Sequence, residues 1–81
     1  MKLVQLEYFC AVCRYHSITR AAEELYVTQP TISVAIRELE KELKLRLFHH
    51  EKNRISLTRE GEAFYQRADA VLRETRAMVT E

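Results

Sequence analysis

The sequence predicts a mainly helical fold: three short helices, a short β-hairpin and a long closing helix. Three observations predict it. Apolar residues recur at helical spacing along most of the 81 residues and make up 47% of them, enough for the core of one small domain. Glycine and proline occur once each, as Gly61 and Pro30, which leaves little turn chemistry for a sheet-rich chain. Strand-like alternation is found at Ile55, Ser56 and Leu57, beside a polar, basic tip.

Leu3, Leu6, Phe9, Cys10 and Cys13 share one helical face, so the first helix is expected over residues 3–15. Ser17 is the expected N-cap of a second helix that runs to Leu25 or Tyr26. Ala22 and Leu25 keep its inner face small and apolar. Tyr26 and Val27 form a turn without the usual glycine. Thr28 caps a third helix, residues 28–43, with Pro30 in the first turn, where its missing N–H costs nothing. Ile32, Ile36, Leu39 and Leu43 make its inward stripe; Pro30, Val34, Arg37 and Lys41 face outward.

Leu45, Leu47 and Phe48 lead into a polar turn expected over His49–Asn53, and Ile55 and Leu57 close the hairpin. Thr58 caps the last helix, expected over residues 59–80 and about 33 Å long. Phe64, Ala68, Val71, Thr75 and Met78 form its stripe, widened by Leu72 and Val79. Three short helices cannot cover that length, so the uncovered part predicts a partner helix from a second copy; the alternative is a stripe that simply packs back on the domain. The chain thus divides into a unit of residues 1–58 and a linker, or dimerisation, helix of residues 59–81.

The net charge is only +1, but it is unevenly spread. Lys44, Arg46, Lys52, Arg54 and Arg59 cluster with a single acid, Glu51, and make a local basic edge suited to a polyanion. Cys10 and Cys13 form a C-x-x-C, a spacing used in redox and metal sites. Here both sulfurs fall on an apolar helix face and no second Cys or His pair completes a zinc site, so core packing is expected. Adjacent His49 and His50 lack further ligands. There is no glycine loop, triad or metal set, which argues against an enzyme. There is no signal peptide and no apolar run of membrane-spanning length, and a cytoplasmic location is expected.

Residues Ser17 to Ser33, S-I-T-R-A-A-E-E-L-Y-V-T-Q-P-T-I-S, read as two short helices joined by a tight turn, the second opened by polar residues. That is how a helix-turn-helix meets DNA, and the basic hairpin beside it reads as a wing. With L-x-Y-F at Leu6–Phe9, Ile36, L-E at Leu39–Glu40, L-F at Leu47–Phe48, L-T at Leu57–Thr58 and Gly61, the whole chain resembles the DNA-binding domain of bacterial LysR-type transcriptional regulators. The resemblance implies a winged helix-turn-helix with a linker helix that pairs antiparallel in a homodimer. It implies double-stranded DNA as partner, the third helix in the major groove, the wing on backbone or minor groove, and a near-palindromic site. RNA polymerase is a further partner it suggests. A small-molecule effector belongs to a carboxy-terminal domain outside these 81 residues, which themselves are expected to carry no cofactor.

Thr28 and the helix amino end suit a phosphate. Gln29 can read a base edge, adenine being its natural partner. Pro30 and Val34 offer apolar contact to a thymine methyl, Thr31 and Ser33 offer hydroxyls, and Arg37 can reach a phosphate or a guanine. Val34 and Ala35 replace longer polar residues frequent in the family, which points to methyl recognition from this turn. In the wing, His50 and Asn53 stand where arginine is common, and Lys52 and Arg54 supply the charge. A His50–phosphate contact would strengthen binding as pH falls through about 6.5. The rival reading is a protein-interaction module; the polar third-helix face and the basic tip favour DNA.

Overall fold

The computed structural model describes residues 1–51 and 54–80. Helices α1 (Leu3–Tyr15), α2 (Ile18–Leu25) and α3 (Gln29–Leu43) precede strands β1 (Phe48–Glu51) and β2 (Arg54–Leu57), and α4 (Arg59–Thr80) closes the chain. The winged helix-turn-helix with a long final helix is therefore present as expected.

Helix α1 is the central element, and α2, α3 and α4 all pack on it. Phe9, Cys10 and Val12 are fully enclosed. The Phe9 ring lies 5.4 Å from that of Phe48, 5.3 Å from Phe64 and 6.3 Å from Tyr65, so one side chain ties α1 to the wing and to α4. Buried Gln5 fastens the start of α1. Its Oε1 accepts from the Lys2 N–H at 2.9 Å and its Nε2 donates to Glu38 of α3 at 3.1 Å.

Ser17 caps α2 by accepting from the Arg20 N–H at 3.0 Å. Buried Ala21 and Ala22 let its backbone approach its neighbours closely. The first three helices all end on a residue in the left-handed region: His16 (φ 55°), Tyr26 (φ 58°) and Lys44 (φ 56°). Tyr26 thus makes the turn that more often uses glycine.

The hairpin is antiparallel, with Phe48 opposite Leu57, His49 opposite Ser56, His50 opposite Ile55 and Glu51 opposite Arg54. His49, His50 and Glu51 therefore belong to β1, not to the polar turn expected over His49–Asn53. Backbone pairing with β2 decides this, and a two-stranded ribbon with a wet face accepts polar side chains. Lys52 and Asn53 lie outside the described residues, as do the side chains of His50 and Arg54.

Thr58 caps α4, its hydroxyl oxygen accepting from the Gly61 N–H at 2.9 Å. The α4 stripe divides into two rows. Phe64, Ala68 and Leu72, spaced by four, face inward; Ala68 and Leu72 are 2% and 3% exposed, and Phe64 is half-buried on Phe9. Ala68 and Leu72, expected in a dimer seam, are spent on this chain's own core, whereas Phe64 keeps part of its surface exposed. Val71, Met78 and Val79 rotate outward, and Met78 and Val79 are about four-fifths exposed. Thr75 is half-buried, its hydroxyl donating to the Val71 carbonyl at 2.8 Å. The first part of α4 thus shares the core of residues 1–58.

Candidate nucleic-acid interface

The amino end of α3 combines a cap with a reading surface. The Thr28 hydroxyl oxygen accepts from the Thr31 N–H at 3.4 Å, and the two threonine hydroxyls are 2.9 Å apart. The Ile32 N–H donates to the Thr28 carbonyl. Pro30 has no N–H to give. Among the described residues, that leaves the Gln29 N–H among the donors of this helix end still available to a phosphate.

Gln29, Pro30, Thr31 and Arg37 are exposed, and Val34 is 44% exposed in the middle of the outward face. Ser33 is half-buried. Beneath them Ile32, Ile36 and Leu39 anchor the helix in the core. The surface is therefore rigidly backed, which base recognition needs. Ala35 is buried, so methyl recognition cannot come from both residues of this turn; Val34 alone presents its methyls outward. Three positions from Ile32 and four from Leu39, Ala35 falls on the inner side of the helix.

A groove of about 140 Å³ opens where the elements meet. Ile18 begins it at α2, Ser33, Ile36 and Arg37 line it from α3, and Phe48 and Ile55 close it from the hairpin. Ser33 and Arg37 thus stand beside the wing, forming one continuous edge from helix to ribbon. His49 is exposed on β1. The assignments to His50, Lys52, Asn53 and Arg54 rest on sequence alone.

Cys10 and Cys13 lie in the core, as their helical spacing suggested. Burial, reinforced by the nearby Asp69 carboxylate, pushes the Cys10 thiol up to about 11; burial and then Cys10 itself push Cys13 up to about 12. Neither is a ready thiolate at neutral pH. The described residues contain no cluster of three or more His, Cys, Asp or Glu side chains placed to hold a metal, and no described helix is long and apolar enough to cross a membrane.

Glu40 was missed by reading the sequence. Set in the charged run Arg37–Glu42, it looks like surface, and it enters the reading of the sequence only in the L-E pair at Leu39–Glu40. It is in fact buried, and Oε2 accepts from the Leu47 N–H at 2.8 Å and the Phe48 N–H at 3.4 Å. Helical spacing held the signal: Glu40 lies four residues from Ile36, on the inward side.

The model of the family "Bacterial regulatory helix-turn-helix protein, lysR family" matches residues 3–62. The chain belongs to the LysR family. It is 42% identical over 74 residues to the Hca operon transcriptional activator HcaR of Escherichia coli (strain K12), covering 91% of this chain and 25% of that protein. It is 40% identical over 78 residues to the RuBisCO operon transcriptional regulator of Allochromatium vinosum, covering 96% and 26%. The LysR-family fold is matched at a TM-score of 0.94 and 39% identity by the BenM DNA-binding domain in complex with catB site 1 DNA, over 99% of this chain and 90% of that one. The chain spans about a quarter of the length of these two relatives.

Proposed function

We propose that this LysR-family chain is the sequence-specific, double-stranded DNA-binding domain of a transcriptional regulator. The observation that carries the proposal is the outward face of α3. Gln29, Thr31, Val34 and Arg37 stand exposed over a fixed apolar backing and run into the edge of the hairpin. The resemblance to a domain solved on DNA supports the same docking. In this reading α3 enters the major groove. Gln29 reads a base edge, Pro30 and Val34 meet thymine methyls, and Thr28, Thr31, Ser33 and Arg37 take phosphates or bases. The wing, with His50, Lys52, Asn53 and Arg54, lies along the backbone or minor groove.

The functional unit is a homodimer on a near-palindromic site. Its seam is narrower than the full α4 stripe: Val71, Met78 and Val79 are exposed to meet a second copy, while Ala68 and Leu72 are buried in this chain's own core. The domain performs no catalysis; a small-molecule effector acts through a carboxy-terminal domain of the whole protein, which works in the cytoplasm and contacts RNA polymerase.

The test is selection from a random duplex pool across a salt series, with the stoichiometry of the bound complex recorded. A two-fold symmetric site bound by two chains is the expected outcome. Salt-sensitive binding without sequence enrichment would reduce the domain to a phosphate binder. Absence of binding would favour the protein-interaction reading.

A further inference from the structure

Among the described residues, Glu40 is the only buried side chain of an ordinarily charged type, at 9% exposure. Placing a carboxylate there is costly unless it is well hydrogen-bonded. Its two backbone donors, Leu47 and Phe48, are the residues on which the chain enters β1. The same segment is held from its other side by α4. The Leu47 carbonyl accepts from the Thr58 N–H at 3.0 Å and lies 3.2 Å from the Thr58 hydroxyl, which also donates to the Arg46 carbonyl at 2.5 Å. Gly61 packs against that Leu47 carbonyl so closely that no Cβ would fit. Residues 46–48 are thus clasped between α3, through Glu40, and the start of α4.

We infer that Glu40 is a positioning residue for DNA recognition: its carboxylate fixes the angle between α3 and the wing. The inference rests on the DNA-binding reading. Four strand residues form a lever of about 13 Å. A swing of about 20° at Leu47 would move its far end by about 4–5 Å, more than a hydrogen bond tolerates. Charge-assisted bonds to two successive N–H groups resist that swing more than a neutral acceptor of random orientation would. Glu40 touches no DNA itself. It lets the wing reach phosphate while Gln29 sits on its base.

The experiment compares wild type, E40A, E40D and E40Q on a selected duplex and on a random one, from about 50 to about 200 mM salt. Thermal unfolding identifies which variants are folded at the assay temperature. The readout is the slope of log affinity against log salt. In a variant that thermal unfolding shows to be folded throughout the salt series, a merely structural role leaves that slope alone. Folded E40A is expected to lose about one unit of slope per wing phosphate released, while keeping its preference for the selected duplex. E40Q keeps an acceptor without the charge and is expected to give a slope between those of E40A and wild type. If E40A does not fold, E40D carries the test, because a side chain one methylene shorter cannot hold both N–H groups. A wild-type slope in folded E40A, or in E40D where E40A is unfolded, overturns the inference and leaves the DNA-binding reading intact. Wild type that binds neither duplex overturns the DNA-binding reading, and the inference with it.

Discussion

Single residues here are constrained chiefly by close approach and by burial. Gly61 sits where the α4 backbone meets the Leu47 carbonyl, and a methyl group would collide with that fixed oxygen and crowd Leu57. Gly61→Ala should therefore destabilise the fold by about 1–3 kcal/mol, read as a lower denaturation midpoint with the denaturant dependence unchanged. Cys10 and Cys13 illustrate burial. Their thiols titrate higher in the folded chain, at about 11 and about 12, than the ordinary 9.0. Below about pH 9 both states hold these protons and the contribution to stability is complete. Above it the unfolded chain ionises first, so stability falls as pH rises toward the folded values. A Cys10→Ala/Cys13→Ala variant should show a shallower alkaline decline than wild type, although its stability near neutrality is lower. An equal decline in both would assign the effect to other groups.

At the scale of elements, helix ends carry more information than helix bodies. Ser17, Thr28 and Thr58 each supply a hydroxyl to a backbone N–H three residues on, and each was legible in the sequence as a cap. The opposite ends were less legible. His16, Tyr26 and Lys44 adopt a left-handed conformation that no local pattern announces, because side chains other than glycine do so only under tertiary constraint. At Lys44, where the exposed side chain adds little packing, Lys44→Gly should relieve that strain. The expected gain is about 0.5–1 kcal/mol, or a rise in Tm of about 2–8 °C by calorimetry. An unchanged or lower Tm would mean that the lysine stem contributes packing the exposure does not suggest. The hairpin shows the same limit: β1 reaches Glu51 because β2 pairs with it, whereas the local polarity of His49–Glu51 suggested a turn.

For the whole molecule, the decisive feature is how α4 divides its two faces. The row Phe64, Ala68 and Leu72 packs into the core around Phe9, and Val71, Met78 and Val79 stay exposed, the seam proposed here for a second chain. Met78→Glu should accordingly leave the thermal stability of the monomer within about 0.5 kcal/mol of wild type. It should shift sedimentation toward monomer and weaken binding to a two-fold site more than to a half-site. A tight dimer in that variant would place the seam elsewhere. The sequence by itself determined the helix order, the caps, the inward stripe of α3 and the outward placement of Gln29, Val34 and Arg37, because helical periodicity and capping are local rules. It also carried the family pattern. The tertiary structure alone decided which α4 row is inside and which groups the inward-facing Glu40 holds, the N–H groups of Leu47 and Phe48. Each of these depends on which neighbour covers a given helix face, and that is settled by packing between elements distant in the chain.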